Sequence, residues 1–276
     1  MTASVRDLLR VTGPLAGLST DATPGVDGKK RAREQAEALA PTLATLQEQL
    51  FACGKTGSPT RVLLVLQSMD AGGKDGAVKH VVGQVNPAGT TITSFGKPTK
   101  DELAHDFLWR IDQHVPVAGQ IGVFNRSHYE DVLIVKVHDL VPAEELASRY
   151  DRINAWEAAL GKQGVVLVKV LLHLSYDEQR ARLLERLDDP TKHWKVNAGD
   201  IVERARWSDY QAAYAAVLER CNPDSAPWYA IPADHKWYRD WALTSLLVEI
   251  LQDLHLAWPE PEGLDVAAQR AALEAT

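Results

Sequence analysis

The apolar residues of this chain follow two periods. Val62 to Gln67 and Val165 to Leu172 are nearly continuous apolar runs, the second interrupted only by Lys169. Ile121-Gly122-Val123-Phe124 is a shorter run of the same kind. Such runs read as strands buried on both faces, as in a parallel sheet. Thr90 to Phe95 and Pro227 to Ala233 read as further strands. Between them the apolar positions switch to helical spacing: leucines at 39, 43, 46 and 50, then Ala77, Val78, Val81 and Val82. Leu103, Phe107, Leu108 and Ile111 predict a helix opened by the capping box Thr99-x-x-Glu102. Leu146, Ile153, Trp156 and Leu160 predict another, opened by Pro142. Ser175-x-x-Glu178 opens the next, one helix is expected from about Asp200 to Glu219, and Lys236 to Leu256 closes the domain with Trp237, Trp241, Leu246, Leu247 and Ile250 inward.

Strands alternating with helices predict an α/β fold around a parallel sheet. Residues 1 to 28 have weak periodicity and carry Gly13, Pro14, Pro24, Gly25 and Gly28. They read as an extension that wraps the domain or is loosely ordered. Residues 29–258 form the domain, and 259–276 a peripheral tail. Lys29, Lys30, Arg31 and Arg33 read as a solvated helical face, with a substrate patch as the minority alternative. Trp194, Trp207, Trp228, Trp237 and Trp241 read as core, with base stacking as a minority alternative.

The first strand runs into Ser68-Met69-Asp70-Ala71-Gly72-Gly73-Lys74, and a helix follows. Strand, glycine loop, lysine and helix is the layout of a phosphate-binding loop. Glycines let backbone N–H groups turn toward phosphate oxygens, and the helix N-terminus adds partial positive charge. The match to G-x-x-x-x-G-K-[ST] is incomplete: Ser68 stands at the first glycine and Asp75 at the usual hydroxyl residue. Asp70 inside the loop would repel phosphate unless a cation lay between them, which implies magnesium or a proton.

The Ile121–Phe124 strand ends in Asn125-Arg126-Ser127-His128-Tyr129-Glu130-Asp131. A carboxylate after a hydrophobic strand beside a phosphate loop has the Walker B arrangement, which places metal. Arg126 can make a bidentate contact to a phosphoryl group. A surface Arg–Asp pair is the plainer alternative, and His128 alone would be a capping or core histidine. Residues 180 to 206 carry mixed charge and include Lys192-His193-Trp194-Lys195. They read either as a helical surface or as a lid that excludes water from phosphoryl transfer.

Composition narrows the function. The net charge of −7 argues against general nucleic-acid coating, so a polyanion would need a locally basic surface. Two cysteines far apart, Cys53 and Cys221, point to no disulfide framework and a reducing compartment. No segment approaches a membrane span or a good signal peptide, so a cytoplasmic protein is expected.

LQSMDAGGKDGAVKHV, SFGKPT, FLWRI, GVFNRSHYEDVL, LHLSYDEQ, RLDDPTKHWK and WYAIPA occur in this order. Together they closely resemble the family-2 polyphosphate kinases over roughly residues 30 to 258. The resemblance implies a P-loop kinase fold, a three-layer α/β/α sandwich with a helical lid. It implies magnesium-dependent phosphoryl transfer between inorganic polyphosphate and nucleotides. Asp70 and Asp131 would then act at the metal, and Lys74 and Arg126 at the transferred group. Ala71, Gly72, Gly73, Asp75 and Asn125 would join Lys74 and Arg126 in binding phosphate. Arg182, Arg186, Lys192 and Lys195 would line the polyphosphate path. The text after Arg126 resembles members that phosphorylate both AMP and ADP, with Glu130 the candidate for acceptor choice. The family also implies a homo-oligomer, dimer or tetramer. Two other readings remain open: an ATP-dependent small-metabolite kinase, and a nucleotide-binding regulatory protein without turnover.

Overall fold

The structure, a computed structural model, describes residues 3–260 and 263–276. Five strands, β1 (Arg61–Gln67), β2 (Thr90–Ser94), β3 (Ile121–Asn125), β4 (Val165–His173) and β5 (Trp228–Pro232), form one parallel sheet in the order β2-β3-β1-β4-β5. The helices are α1 (Val5–Leu9), α2 (Gly28–Lys55), α3 (Lys74–His80), α4 (Trp109–Asp112), α5 (Glu130–Val137), α6 (Ala143–Lys162), α7 (Tyr176–Asp188), α8 (Gly199–Ala205), α9 (Trp207–Arg220), α10 (Lys236–Asp253) and α11 (Val266–Glu274).

The period of two in β1 makes the three layers. Val62, Leu64 and Leu66 pack with Leu43 and Leu50 of α2, Ala77 of α3, and Leu246 and Ile250 of α10. Leu63 and Val65 point the other way, onto Val132 of α5, Ile153 and Leu160 of α6, and Val217 of α9. A strand with both faces covered favours apolar residues at every position, which is why Val62 to Leu66 is an unbroken apolar run.

The extension wraps. Leu9, Val11 and Leu15 are buried, the Val11 amide donates to the Trp228 carbonyl at 2.9 Å, and the Val5 and Arg6 amides both donate to Glu249 at 2.8 Å. The basic start of α2 is solvated at Lys29, Lys30, Arg31 and Arg33, and α11 is exposed throughout. Neither cysteine is bridged, and burial pushes the Cys221 thiol up to about 12.

Three expectations fail. The Thr99–Glu102 capping box forms both of its hydrogen bonds, yet only a 3₁₀ turn follows, Glu102–Ala104. Asp106 then accepts from the Leu108 amide and starts a separate turn, so Leu103 stays exposed and Phe107 packs under the Arg149 and Arg152 guanidiniums. The helix expected from Asp200 to Glu219 is two, α8 and α9, broken at Arg206. Trp228 and Trp241 are core residues, but Trp194 is 79% exposed.

Candidate active site

Leu66 pairs with Asn125 at the ends of β1 and β3, so the two informative loops leave the sheet side by side. This is the carboxyl edge of an open parallel sheet, where ligands bind. In the first loop Gly73 has φ +102°, a left-handed conformation that glycine adopts without steric cost. Ala71 is also left-handed, at φ +61°. A Cβ at Gly72 would stand 1.6 Å from Ser68 Oγ. Ser68 itself has no positive φ, and its hydroxyl donates to the Leu172 carbonyl at 2.9 Å, tying the loop to β4.

Side chains from outside the loop hold its carbonyls. Gln179 donates to the Asp70 carbonyl at 3.0 Å, Arg182 to that of Ala71 at 3.1 Å, and Arg239 to that of Gly73 at 3.2 Å. Arg182 and Arg239 are buried. With these carbonyls tied down, the first-turn amides of α3, which lack acceptors within the helix, remain for an anion. Lys74 Nζ donates to the Ser68 carbonyl at 2.8 Å. Burial lowers its pKa, opposed by the negative charge of Asp70.

The second loop turns on Arg126, left-handed at φ +66°. Its amide donates to the Leu66 carbonyl at 3.1 Å, and its guanidinium pairs with Asp70 at 2.9 Å. Asn125 Nδ2 donates to Asp75 Oδ1 at 3.0 Å, and Lys195, between α7 and α8, donates to Asp75 Oδ2 at 3.0 Å. Burial pushes the Asp75 pKa up, but these two hydrogen bonds together with the charges of Lys195 and Lys74 outweigh it, and the net shift is downward.

These groups line a cleft of about 790 Å³. Its basic lining includes Lys74, Arg126, Arg182, Arg186, Lys192 and Lys195, and also Lys79, Lys236 and Arg239. Asp70, Asp75, Glu185 and Asp200 are its acidic members. The excess of cations gives an acidic protein a local anion site. Trp194 stands on the cleft wall with Lys195 Nζ 4.9 Å from its ring centre.

The structure thus brings together Asp70, Ala71, Gly72, Gly73, Lys74, Asp75, Asn125, Arg126, Arg182, Arg186, Lys192 and Lys195. It does not bring Asp131 to the cleft wall. Asp131 lies 3.5 Å from Arg110 and 3.7 Å from Arg149. Asp131 and Glu130 are adjacent on the first turn of α5, about 100° apart around the helix axis. Glu130 instead lies within the field of Arg126, Lys74 and Asp70; burial raises its pKa and the two cations oppose the rise. The pairing of Asp131 with Asp70 at a metal is therefore not what the fold builds. Lys97 and Lys100 are exposed and lie outside the cleft lining. Sequence reasoning missed Gln179, Arg239 and Lys236. Arg239 left a trace, a guanidinium among the apolar positions of the closing helix.

The family model described as polyphosphate kinase 2 matches residues 27–257, the span that carries both loops and the whole sheet. The AMP/ADP-polyphosphate phosphotransferase of Meiothermus ruber is 47% identical over 90% of each chain. The ADP-polyphosphate phosphotransferase of Rhodopseudomonas palustris is 40% identical over 87% of this chain and 86% of its own. The crystal structure of polyphosphate kinase 2 from Arthrobacter aurescens superposes with a TM-score of 0.97 at 48% identity, covering 100% of this chain and 98% of that one. The family model spans most of the chain, and these relatives match it at 40% identity or more over nearly its whole length: the chain belongs to the polyphosphate kinase 2 family.

Proposed function

We propose that this protein transfers the terminal phosphoryl group of inorganic polyphosphate to AMP and ADP, giving ADP and ATP. The observation that carries the reading is the Asp70–Arg126 pair set over the glycine loop in a cleft lined mainly by cations. A carboxylate and a guanidinium there can share one phosphoryl group, the arginine directly and the carboxylate through a cation. The names of the relatives from Meiothermus ruber and Rhodopseudomonas palustris support polyphosphate as donor and adenine nucleotides as acceptors.

In-line transfer spreads negative charge over the equatorial oxygens of the moving group. Arg126 and the amides around Gly73 and Lys74 stabilise that charge without reorganising. Lys74, held by the Ser68 carbonyl, exchanges that contact for a phosphate oxygen. Arg182 and Arg186 extend the cationic lining, and Lys192 and Lys195 carry it onto the lid. Lys195 exchanges Asp75 for phosphate as the chain enters. The acceptor is already anionic, so no strong general base is needed. Glu130, behind Arg126, tunes acceptor choice.

The donor set fits magnesium. Among the described residues no group of three or more His, Cys, Asp or Glu is arranged to hold a metal. Magnesium is ordinarily bound by one or two carboxylates together with substrate phosphates and water. Asp70 would supply that carboxylate, and the bound ion would neutralise charge between it and the phosphate oxygens. Asp131, paired with Arg110 and Arg149, is not part of this set.

The test is incubation of the purified protein with AMP, magnesium and long-chain polyphosphate, without ATP, following nucleotides by chromatography. Appearance of ADP and then ATP is expected. Product from ADP but none from AMP would remove the dual-acceptor reading. No product from either would return the small-metabolite kinase and the regulatory binder.

A further inference from the structure

The lysine inside the apolar strand β4 has no part in the scheme above. Lys169 is fully buried, as are its partners Glu157 of α6 and His128 and Tyr129 of the loop after Arg126. Glu157 Oε2 accepts from Lys169 Nζ at 2.7 Å. Glu157 Oε1 accepts from the Tyr129 hydroxyl at 2.7 Å and bonds His128 Nε2 at 3.1 Å. Lys169 Nζ also donates to the Tyr129 hydroxyl at 3.1 Å and the Cys221 carbonyl at 2.8 Å. His128 Nδ1 is buried with no partner among the described residues. A carboxylate oxygen can only accept, so His128 donates through Nε2, and Glu157 and Lys169 form a buried ion pair.

Stability alone does not account for this cluster. A buried ion pair is commonly matched or surpassed by apolar residues of similar volume, and every other residue from Val165 to Leu172 is apolar. What the cluster grips is informative. His128 and Tyr129 follow Arg126 by two and three residues. Ser127 between them accepts from Gln67 Nε2 at 3.1 Å and from the Tyr129 amide at 3.2 Å. Arg126 is a non-glycine residue in left-handed backbone, a sterically costly conformation that persists only where surroundings over-determine it. Its backbone is tethered upstream by its amide to the Leu66 carbonyl. Downstream, Gln67 holds Ser127, and the Glu157 carboxylate holds His128 and Tyr129.

We propose that Glu157, charge-balanced by Lys169, is a positioning residue: by clamping His128 and Tyr129 it holds Arg126 in the left-handed turn that aims its guanidinium at Asp70 and the transferred phosphoryl group. The inference rests on the phosphoryl-transfer reading for its kinetic consequence, and on backbone geometry alone for its structural one.

The experiment compares wild type with Glu157→Leu/Lys169→Met and Glu157→Gln/Lys169→Met in the full chain. The first replaces the pair by apolar residues; the second keeps an acceptor for His128 and Tyr129. Glu157→Leu/Lys169→Met is expected to lose about tenfold or more in kcat with ADP and long-chain polyphosphate, while KM for ADP changes less than threefold. Amide exchange of the segment 124–130 should speed up at least tenfold, with α2 and α10 unchanged. Glu157→Gln/Lys169→Met should recover most of the kcat and the protection. If the apolar double variant does not fold, Tyr129→Phe, which deletes one donor to Glu157, should lower kcat several-fold at unchanged KM. Wild-type exchange rates at 124–130 in the apolar variant, or wild-type kcat in the variant that folds, would overturn the proposal. An inactive wild type would instead remove the phosphoryl-transfer reading, and the exchange comparison would still decide the clamp.

Discussion

The loops after β1 and β3 do neighbouring jobs and are built in opposite ways. The first is shaped by what it lacks. Gly73 takes its positive φ freely, and Gly72 leaves the space that Ser68 fills. The second loop, Asn125 to Tyr129, contains no glycine at all, yet Arg126 is left-handed. Its shape comes from what it touches: Leu66, Gln67 and the buried carboxylate of Glu157. A loop that must present backbone amides gains from small residues. A loop that must present a guanidinium and an amide side chain has to keep those side chains, so its strain is offset from elsewhere in the fold.

This contrast can be broken first where a charge is removed. Lys74→Ala should cut turnover by about a thousandfold, the upper range for loss of one transition-state donor. Melting should stay close to wild type, and a rate within tenfold of wild type would remove Lys74 from the reaction. Arg126→Gly separates backbone from side chain in the second loop. Turnover should fall about a hundredfold, while the urea midpoint stays or rises, because glycine relieves the left-handed strain. A drop in the midpoint would show that the turn is not strained.

Gly73→Ala does the reverse in the first loop. The new Cβ would stand 2.2 Å from Arg239 Nη1 at a φ that disfavours it, so a loss of about 1–2 kcal/mol is expected in urea denaturation. Glu130→Gln tests the field between the loops. Burial raises the Glu130 pKa above the ordinary carboxylate value, so wild type gives up stability as pH rises through the folded pKa. The variant should therefore melt above wild type at pH 7, and the gap should close toward pH 4; the opposite trend would mean that Arg126 and Lys74 dominate burial. The smallest effect belongs to Asp75→Asn. The Asp75–Lys195 pair is exposed on the acid side, so its loss should cost under about 1 kcal/mol and change KM for polyphosphate less than threefold.

Much of the fold was legible because its signals are local. Buried strands announce themselves as apolar runs, and Pro142 and Ser175 mark helix starts that the structure keeps. Ser175 accepts from the Glu178 amide as expected, but Glu178 turns to Arg182 and Asp234 takes its place on the Ser175 amide. The Thr99 box shows the limit of such signals: both of its hydrogen bonds form and the helix still stops, because Asp106 offers a competing start. The exposed Trp194 shows another, since nothing in a tryptophan's own sequence position says whether a lid carries it into the core or onto a cleft.

By itself the sequence determined the parallel sheet, the phosphate loop and the cluster of polar groups at the end of β3. Those follow from periodicity and from residue types whose chemistry acts over a few neighbours. Only the tertiary structure decided which cations each carboxylate at the start of α5 meets. Asp131 and Glu130 are adjacent in the chain, and one helical step hands the first to Arg110 and Arg149 and leaves the second in the field of Arg126. It also decided that Gln179, Arg182 and Arg239, more than a hundred residues downstream, hold the carbonyls of the phosphate loop. Hydrogen bonds are short and directional, so partners this distant in sequence are chosen by the packing of α7 and α10 against the sheet, which no local pattern records.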